Sequence, residues 1–183
     1  MKTKLTILFT LIILSASAQS NWITNNFKTY FSNGKSSYYI SESEKLLNTL
    51  SGSERSTSFH ALTLFKVLSG YSRERMPICQ FNIAANAVGL TINSKYLNSD
   101  VSLNYCNING KYYYFLKNSL TNNGVSVNLK SKVRTSSGGT SISNVSTGAP
   151  IYSVAFFNSS FNFENYEIAS YMKITNIETS PCL

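Results

Sequence analysis

Acidic residues are scarce in this chain. Its 183 residues include 8 Asp and Glu against 16 Lys and Arg, which gives a formal net charge of +8. Catalysis by paired carboxylates needs two acids beside one cleft. The close pairs are Glu42 with Glu44, which a helix start explains, and Glu164 with Glu167, which flank the start of a predicted strand. Carboxylate-pair enzymes are therefore disfavoured.

Histidine and cysteine are also rare. One histidine and three dispersed cysteines lack the ligand spacing of a metal site, and no cofactor is expected. The single His60 falls off the main apolar side of a predicted helix, which favours a solvated surface position over a catalytic base. Cys106 falls within a predicted strand and lacks the glycine-rich turn that would supply oxyanion donors. A nucleophilic role for this thiol is therefore disfavoured.

Long apolar runs are missing as well. After Lys2 and Lys4 comes the stretch LTILFTLIIL, about half the length of a helix that spans a bilayer. The small-residue triplet ASA follows at positions 16–18. A basic start, a short apolar core and small residues are typical of a secretory signal peptide. We expect cleavage after residue 18 and a secreted or periplasmic protein with no transmembrane segment. Loss of the two lysines would lower the net charge to +6.

The three cysteines of an exported chain predict one disulfide and one free thiol. Cys79 falls on the apolar side of a predicted hairpin, so we expect it to be a buried thiol. Cys106 falls on the opposite, basic side of a predicted sheet, where a returning C-terminal segment would bring Cys182. The predicted bridge is therefore Cys106–Cys182.

Residues 19–183 are predicted to form a single α+β domain. Apolar spacing predicts helices between about residues 21 and 69, the second of them opening with a capping box at Ser41 and Glu44. From residue 78 the pattern alternates, which predicts a hairpin turning near Asn86 and then further strands. The predicted fold packs the N-terminal helices on an antiparallel meander sheet of six to eight strands. The alternative is an up-and-down β-barrel with N-terminal helices. Residues 134–150 are either a loop or a Ser/Thr-rich strand pair.

Two Asn-Gly pairs, at 109–110 and 123–124, are strong signals for two-residue hairpin turns. Such turns fix the register of a three-stranded meander, in which Tyr114 lies opposite Tyr105 on one side and Val133 on the other. Directly opposed residues share a sheet face. The register gathers apolar side chains on one face, namely Val101, Leu103, Tyr105, Tyr112, Tyr114, Leu116, Val125, Val127, Leu129 and Val133.

The opposite face of this predicted meander combines cations with aromatic rings. Tyr113 and Phe115 are expected to be exposed there as stacking contacts. No acid occurs between Asp100 and Glu164, whereas five cations do. They are the expected charge contacts, namely Lys111, Lys117, Lys130, Lys132 and Arg134. The register also places Lys117 opposite Lys130.

These features favour an exported, non-enzymatic binding module. Its basic-aromatic sheet face would engage an anionic surface or polymer, such as a polysaccharide, lipid headgroups or a nucleic acid. Two other functions stay open: a secreted hydrolase whose site the sequence does not reveal, and an envelope structural or protein-interaction domain. Two interpretations without a ligand also stay open. The lysines could serve only to keep a sheet face soluble and to block edge pairing, or the helices or the C-terminal segment could cover Tyr113 and Phe115. The sequence specifies neither the ligand nor the oligomeric state.

Overall fold

The computed structural model describes residues 22–31, 33–71, 75–134, 136–157, 166–175 and 178–183. These residues form four helices and two antiparallel sheets, of five and three strands. The predicted α+β class and its N-terminal helices are therefore confirmed. The predicted signal peptide lies outside the described residues.

Contacts divide the described chain into two compact units. The first comprises the described residues up to 71 together with Ile83–Gly89, and the second comprises residues 75–82 and everything described from residue 90 onward. The single domain 19–183 stays a prediction.

The four helices are α1 (22–31), α2 (Ser36–Leu47), α3 (Gly52–Leu68) and α4 (Ile78–Ala87). In the first unit the rings of Tyr39 and Phe27 lie 4.2 Å and 5.4 Å from the buried ring of Phe65, measured between centroids. Buried aromatic contacts of this kind hold short helices together, which would be marginal alone. Within the described part of the chain, every helix is too short or too polar to cross a bilayer.

The predicted capping box at Ser41 and Glu44 is wrong. α2 begins at Ser36 without a side-chain cap, so both residues lie inside the helix. The carboxylate of Glu44 instead accepts a hydrogen bond from Lys66 of α3 at 2.6 Å. The extra N-terminal turn carries Tyr39 into the core, where it is fully buried. Burial of this ring outweighs a cap worth about 1 kcal/mol.

The predicted hairpin around Asn86 is also wrong, because residues 78–87 form α4. The side chains buried along this segment recur at helical spacing, namely Ile78, Phe81, Ala84, Ala85 and Val88. Ile83, which the strand pattern placed on the apolar side, is 41% exposed. Over a few residues the apolar side chains fit both the two-residue period of a strand and the 3.6-residue period of a helix. The positions of the buried alanines favour the helix.

Eight strands follow the chain as β1 (Arg75–Pro77), β2 (Ile92–Leu97), β3 (Val101–Ile108), β4 (Lys111–Asn118), β5 (Gly124–Arg134), β6 (Thr140–Ala149), β7 (Ser153–Phe156) and β8 (Tyr166–Ile174). The larger sheet has the order β1-β7-β4-β3-β2 and the smaller β6-β5-β8. The described strands thus form two open sheets, and the alternative of one closed barrel is wrong. Most of the Ser/Thr-rich segment 134–150 is strand β6, paired with β5.

The first Asn-Gly turn is confirmed, and the second is wrong. Asn109 and Gly110 have φ of +53° and +86°, as a two-residue hairpin turn requires, and Tyr105 lies opposite Tyr114 as predicted. Gly124 instead begins β5, which pairs with β6 and β8 and not with β4. β7 pairs with the edge of β4 at which the predicted meander placed β5.

Asn118 explains why the chain leaves the sheet after β4. Its side-chain amide donates to the carbonyl oxygens of Pro150 at 2.7 Å and Asn123 at 2.9 Å, and its side-chain oxygen accepts from the amide of Leu120 at 3.1 Å. These bonds build a wide turn in place of a tight hairpin. The chain then enters the smaller sheet.

The two sheets of the second unit enclose one apolar core. Its members come from both sheets, namely Val101, Leu103, Leu116, Val125, Val127, Leu129, Ala149, Ala155, Tyr166 and Ile168. Tyr112 of the predicted apolar face is instead 55% exposed, and the Val133 side chain lies outside the described part of the structure. Six of the ten predicted members do belong to this core. They meet face to face across two sheets, whereas the meander placed them side by side in one.

The predicted Cys106–Cys182 bridge is wrong. The disulfide joins Cys79 and Cys182, whose Cα atoms are 5.8 Å apart, and Cys106 is a buried free thiol. The error follows from the wrong hairpin: with residues 78–87 helical, Cys79 lies at the start of α4 and half-buried, where the C-terminal segment reaches it.

Candidate functional site

The aromatic rings of the basic-aromatic face predicted from the sequence are buried. Tyr113 is 6% exposed and Phe115 is 0% exposed, so the prediction that these rings face solvent is wrong. The ring centroid of Phe115 lies 5.0 Å from that of Phe81 on α4 and 5.0 Å from that of Phe156 on β7. The larger sheet is thus covered on this face as well as on the face toward the smaller sheet.

Burial also determines the chemistry of the polar groups on this covered face. It raises the pKa of the Cys106 thiol to about 12. Burial first, and the neighbouring Cys106 second, raise the pKa of Tyr113 to about 12. Both groups therefore stay protonated at neutral pH. The thiolate that a nucleophilic cysteine needs is disfavoured here.

Two of the predicted cations lie on β4. Lys111 is exposed, with its amine 5.3 Å from the ring centroid of Tyr113, and Lys117 is half-buried. The neighbours directly opposite Lys117 are Ser102 and Val154. The predicted opposition of Lys117 and Lys130 is therefore wrong.

The other predicted cations lie on β5, in the smaller sheet. Lys130 is half-buried and has Glu167 of β8 and Asn144 of β6 as its cross-strand partners. Lys132 and Arg134 continue the same strand, but their side chains lie outside the described part of the structure. The five cations thus belong to two different sheets and do not form one basic face.

An exposed aromatic surface exists elsewhere on the larger sheet. We call it the tyrosine strip and define it as Tyr105 on β3 with Tyr112 and Tyr114 on β4. The ring centroid of Tyr105 lies 5.8 Å from that of Tyr112 and 5.6 Å from that of Tyr114. Tyr112 is 55% exposed, and the other two rings are half-buried. The three rings are therefore contiguous and reach solvent.

The register of the larger sheet explains this strip. Tyr105 lies opposite Tyr114, one row beyond Leu103 and Leu116, which belong to the core between the sheets. Opposed residues share a face, so the strip continues the inter-sheet core past its buried part. Tyr112 and Tyr114 were predicted to be buried. The prediction is wrong for Tyr112, which is exposed, and only partly correct for Tyr114, which is half-buried.

A lysine from the edge strand joins the tyrosine strip. The pairing of β2 with β3 shifts between Ser94 and Tyr96, which leaves Lys95 as the extra residue of a β-bulge. A bulge re-aims the side chain that it carries. The amine of Lys95 lies 5.9 Å from the ring centroid of Tyr114, which is a cation–π distance.

Two amide side chains flank the rings. Asn93 lies opposite Tyr105, and Asn107 lies opposite Tyr112, so both share the face of the strip. Both asparagines are exposed. Sequence reasoning missed this signal. An asparagine near the turn end of a predicted core face indicates that the face is exposed to solvent there. Lys95 was not singled out from the sequence, since a bulge has no reliable sequence signal.

A charged group near the start of β3 links the two sheets. The carboxylate of Asp100 accepts hydrogen bonds from the Tyr171 hydroxyl at 2.8 Å and lies 3.1 Å from the amine of Lys173, both on β8. The bond from Tyr171, followed by that from Lys173, lowers the pKa of Asp100. The same bond raises the pKa of the Tyr171 hydroxyl. This cluster holds β8 beside the strand that carries Tyr105.

His60 is the remaining residue that the sequence raised as a candidate for catalysis. His60 is half-buried on α3 rather than fully solvated, and desolvation lowers its pKa. Within the described ranges, no three His, Cys, Asp or Glu side chains are grouped so as to bind a metal ion. Comparison of the chain with protein-family models, curated proteins and solved structures gives no match.

Proposed function

We propose that this protein is an exported, non-enzymatic binding module and that its tyrosine strip binds an acidic polysaccharide. The observation that carries the proposal is the contact set of Tyr105, with two tyrosine rings within 5.8 Å and the amine of Lys95 over the second of them. The charge contacts predicted on β4 and β5 are replaced by this smaller set.

The chemistry of the strip suits a sugar chain. Aromatic rings offer flat apolar surfaces against which the C–H faces of sugar rings can pack. The amides of Asn93 and Asn107 can donate to and accept from hydroxyl groups beside those rings. Lys95 supplies a positive charge for a carboxylate or sulfate group.

The sparse charge of the strip favours a polysaccharide over a nucleic acid. Nucleic acids carry one charge per nucleotide, and their binding relies on several phosphate contacts from lysine and arginine. Here the lysine contact within the strip is that of Lys95 with the Tyr114 ring, and Lys173 nearby lies 3.1 Å from the carboxylate of Asp100. A surface with few charges and several rings matches a chain of sugars with intermittent acid groups.

The test is calorimetric titration of the mature protein with polygalacturonate, with a neutral galactan and single-stranded DNA as comparison ligands. Y112A is expected to lower the affinity for polygalacturonate about 5-fold to 150-fold, because stacking on one ring is worth about 1–3 kcal/mol. Tyr38 on α2 provides a matched control, since its ring is 52% exposed but lies outside the strip. Y38A should therefore bind like the unmodified protein.

Three results would contradict the proposal. One is absence of polygalacturonate binding, and another is equal loss in Y112A and Y38A. The third is tighter binding of DNA than of polygalacturonate at matched salt, which would assign the strip to nucleic acid instead.

A further inference from the structure

A second candidate site lies in the second unit, at a cleft of about 530 Å³. Three segments line it: β1, the turn at residues 150–153 that precedes β7, and residues 178–181 of the C-terminal segment. This volume falls within the range of small-molecule sites, about 300–1,000 Å³. None of these residues belongs to the tyrosine strip.

The cleft is built from rigid parts. The chain has three prolines, and all three line this cleft, one on each segment: Pro77, Pro150 and Pro181. Proline fixes φ and so limits how far each wall can move. The Cys79–Cys182 disulfide then ties the C-terminal wall to the residues that follow β1. A preformed cleft spares a ligand the entropy cost of ordering it.

Hydrogen bonds secure the turn at residues 150–153, which forms one wall of the cleft. The backbone amide of Ile78 donates to the carbonyl of Tyr152 at 3.1 Å, and the amide of Tyr152 donates to the carbonyl of Leu120 at 2.9 Å. Tyr152 has φ of +44°, a left-handed conformation that is uncommon for a residue other than glycine. Conformations of this kind persist where surrounding bonds impose them, and they cluster at binding sites.

The lining of the cleft combines an apolar floor with two opposite charges. The buried side chains of Met76 and Ile151 supply the apolar part. Arg75 and Glu178 are exposed and line the same cleft from different walls. A guanidinium binds carboxylates through paired hydrogen bonds, and a carboxylate binds ammonium groups.

We infer that this cleft binds a small zwitterion with apolar side chains, of the class of a short apolar peptide. Arg75 would contact the carboxylate of the ligand and Glu178 its ammonium group, while Met76 and Ile151 would contact the side chains. This inference is independent of the polysaccharide proposal, because the two sites share no residue.

The experiment titrates the mature protein with the dipeptide Leu-Leu, its C-terminal amide and its N-acetyl form. Calorimetry gives the affinities, and backbone amide shifts of Met76 and Ile151 in NMR spectra locate the binding. We expect R75Q to weaken Leu-Leu about 10-fold to 150-fold, since a hydrogen bond to a charged group is worth about 1.5–3 kcal/mol. R75Q should leave the affinity for the C-terminal amide unchanged.

The complementary variant gives the reciprocal pattern. E178Q is expected to weaken Leu-Leu about 10-fold to 150-fold and to leave the N-acetyl form unaffected. Both side chains are exposed, so both variants should fold. The strip variant Y112A should bind Leu-Leu normally, which separates failure of this inference from failure of the proposed function. The inference is overturned if Leu-Leu shifts no cleft amide, or if each variant weakens all three ligands equally.

Discussion

Two neighbouring tyrosines on β4 have opposite environments. Tyr112 is 55% exposed on the tyrosine strip, whereas Tyr113 is 6% exposed on the opposite face of the strand. Alternation along a strand separates the two side chains, as the sequence predicts. Which of the two meets solvent depends on what covers each face, and a strand's own sequence does not contain that information.

Substitutions on the two faces of β4 should differ in their effect on the free energy of unfolding. F115A should lower the free energy of unfolding by about 3–5 kcal/mol, because it removes a fully buried ring. Y112A should cost about 1 kcal/mol or less, the value of one exposed ring pair. Urea denaturation followed by circular dichroism measures both. Equal losses in the two variants would mean that the faces are assigned wrongly.

Substitution of Lys95, the cation beside the tyrosine strip, should have a smaller effect, and it should change ligand affinity without changing stability. K95Q is expected to weaken polygalacturonate about 1.4-fold to 5-fold at low salt, because a surface charge contact is worth about 0.2–1 kcal/mol. The difference should fade at 1 M salt, where screening removes it. K35Q is the matched control, since Lys35 is exposed at the start of α2. A salt-independent loss in K95Q would indicate a structural effect instead.

The smallest effect concerns the carboxylate that joins the two sheets near the strip. The pKa of Asp100 is lowered in the folded protein, mainly by the hydrogen bond from Tyr171. Its contribution to stability is therefore complete above the unfolded pKa, near 3.9, and is lost as the pH falls through the lower folded pKa. We expect D100N to flatten the acid side of the curve of unfolding free energy against pH below about pH 5.

Denaturation of D100N and the unmodified protein at several pH values between 2 and 7 measures this difference. Coincident slopes on the acid side would show that Asp100 gains nothing from Tyr171 and Lys173. A slope steeper in D100N than in the unmodified protein would contradict the direction of the pKa shift.

The sequence predicted local structure where a single strong signal acts. The turn at Asn109-Gly110 set the register of β3 against β4, and apolar spacing located α1 and α3. It failed where two arrangements satisfy the same pattern. An alternating apolar strand such as β5 can pair with β4 in one sheet or pack against it from a second sheet. The hydrogen bonds from Asn118 to distant carbonyl oxygens favour the second arrangement. Those partners cannot be read from the residues around Asn118.

The exposed rings of β4 lie on the face that the sequence analysis assigned to the core. Aromatic rings with a lysine on one face of β4 were expected, yet the rings are Tyr112 and Tyr114 rather than Tyr113 and Phe115. The decisive contacts come from Phe81, on a segment taken as a strand, and from Lys95, on a bulge. Both depend on tertiary structure.

The most direct test is nitration of tyrosines by tetranitromethane, mapped by mass spectrometry with and without polygalacturonate. In the free protein Tyr112 should be modified and Tyr113 should not, because burial raises the pKa of Tyr113 to about 12 as well as shielding it. The polysaccharide should protect Tyr112 and leave Tyr38 reactive. Modification of Tyr113 as fast as Tyr112, or a Tyr112 that stays equally reactive at saturating polysaccharide, would contradict the account.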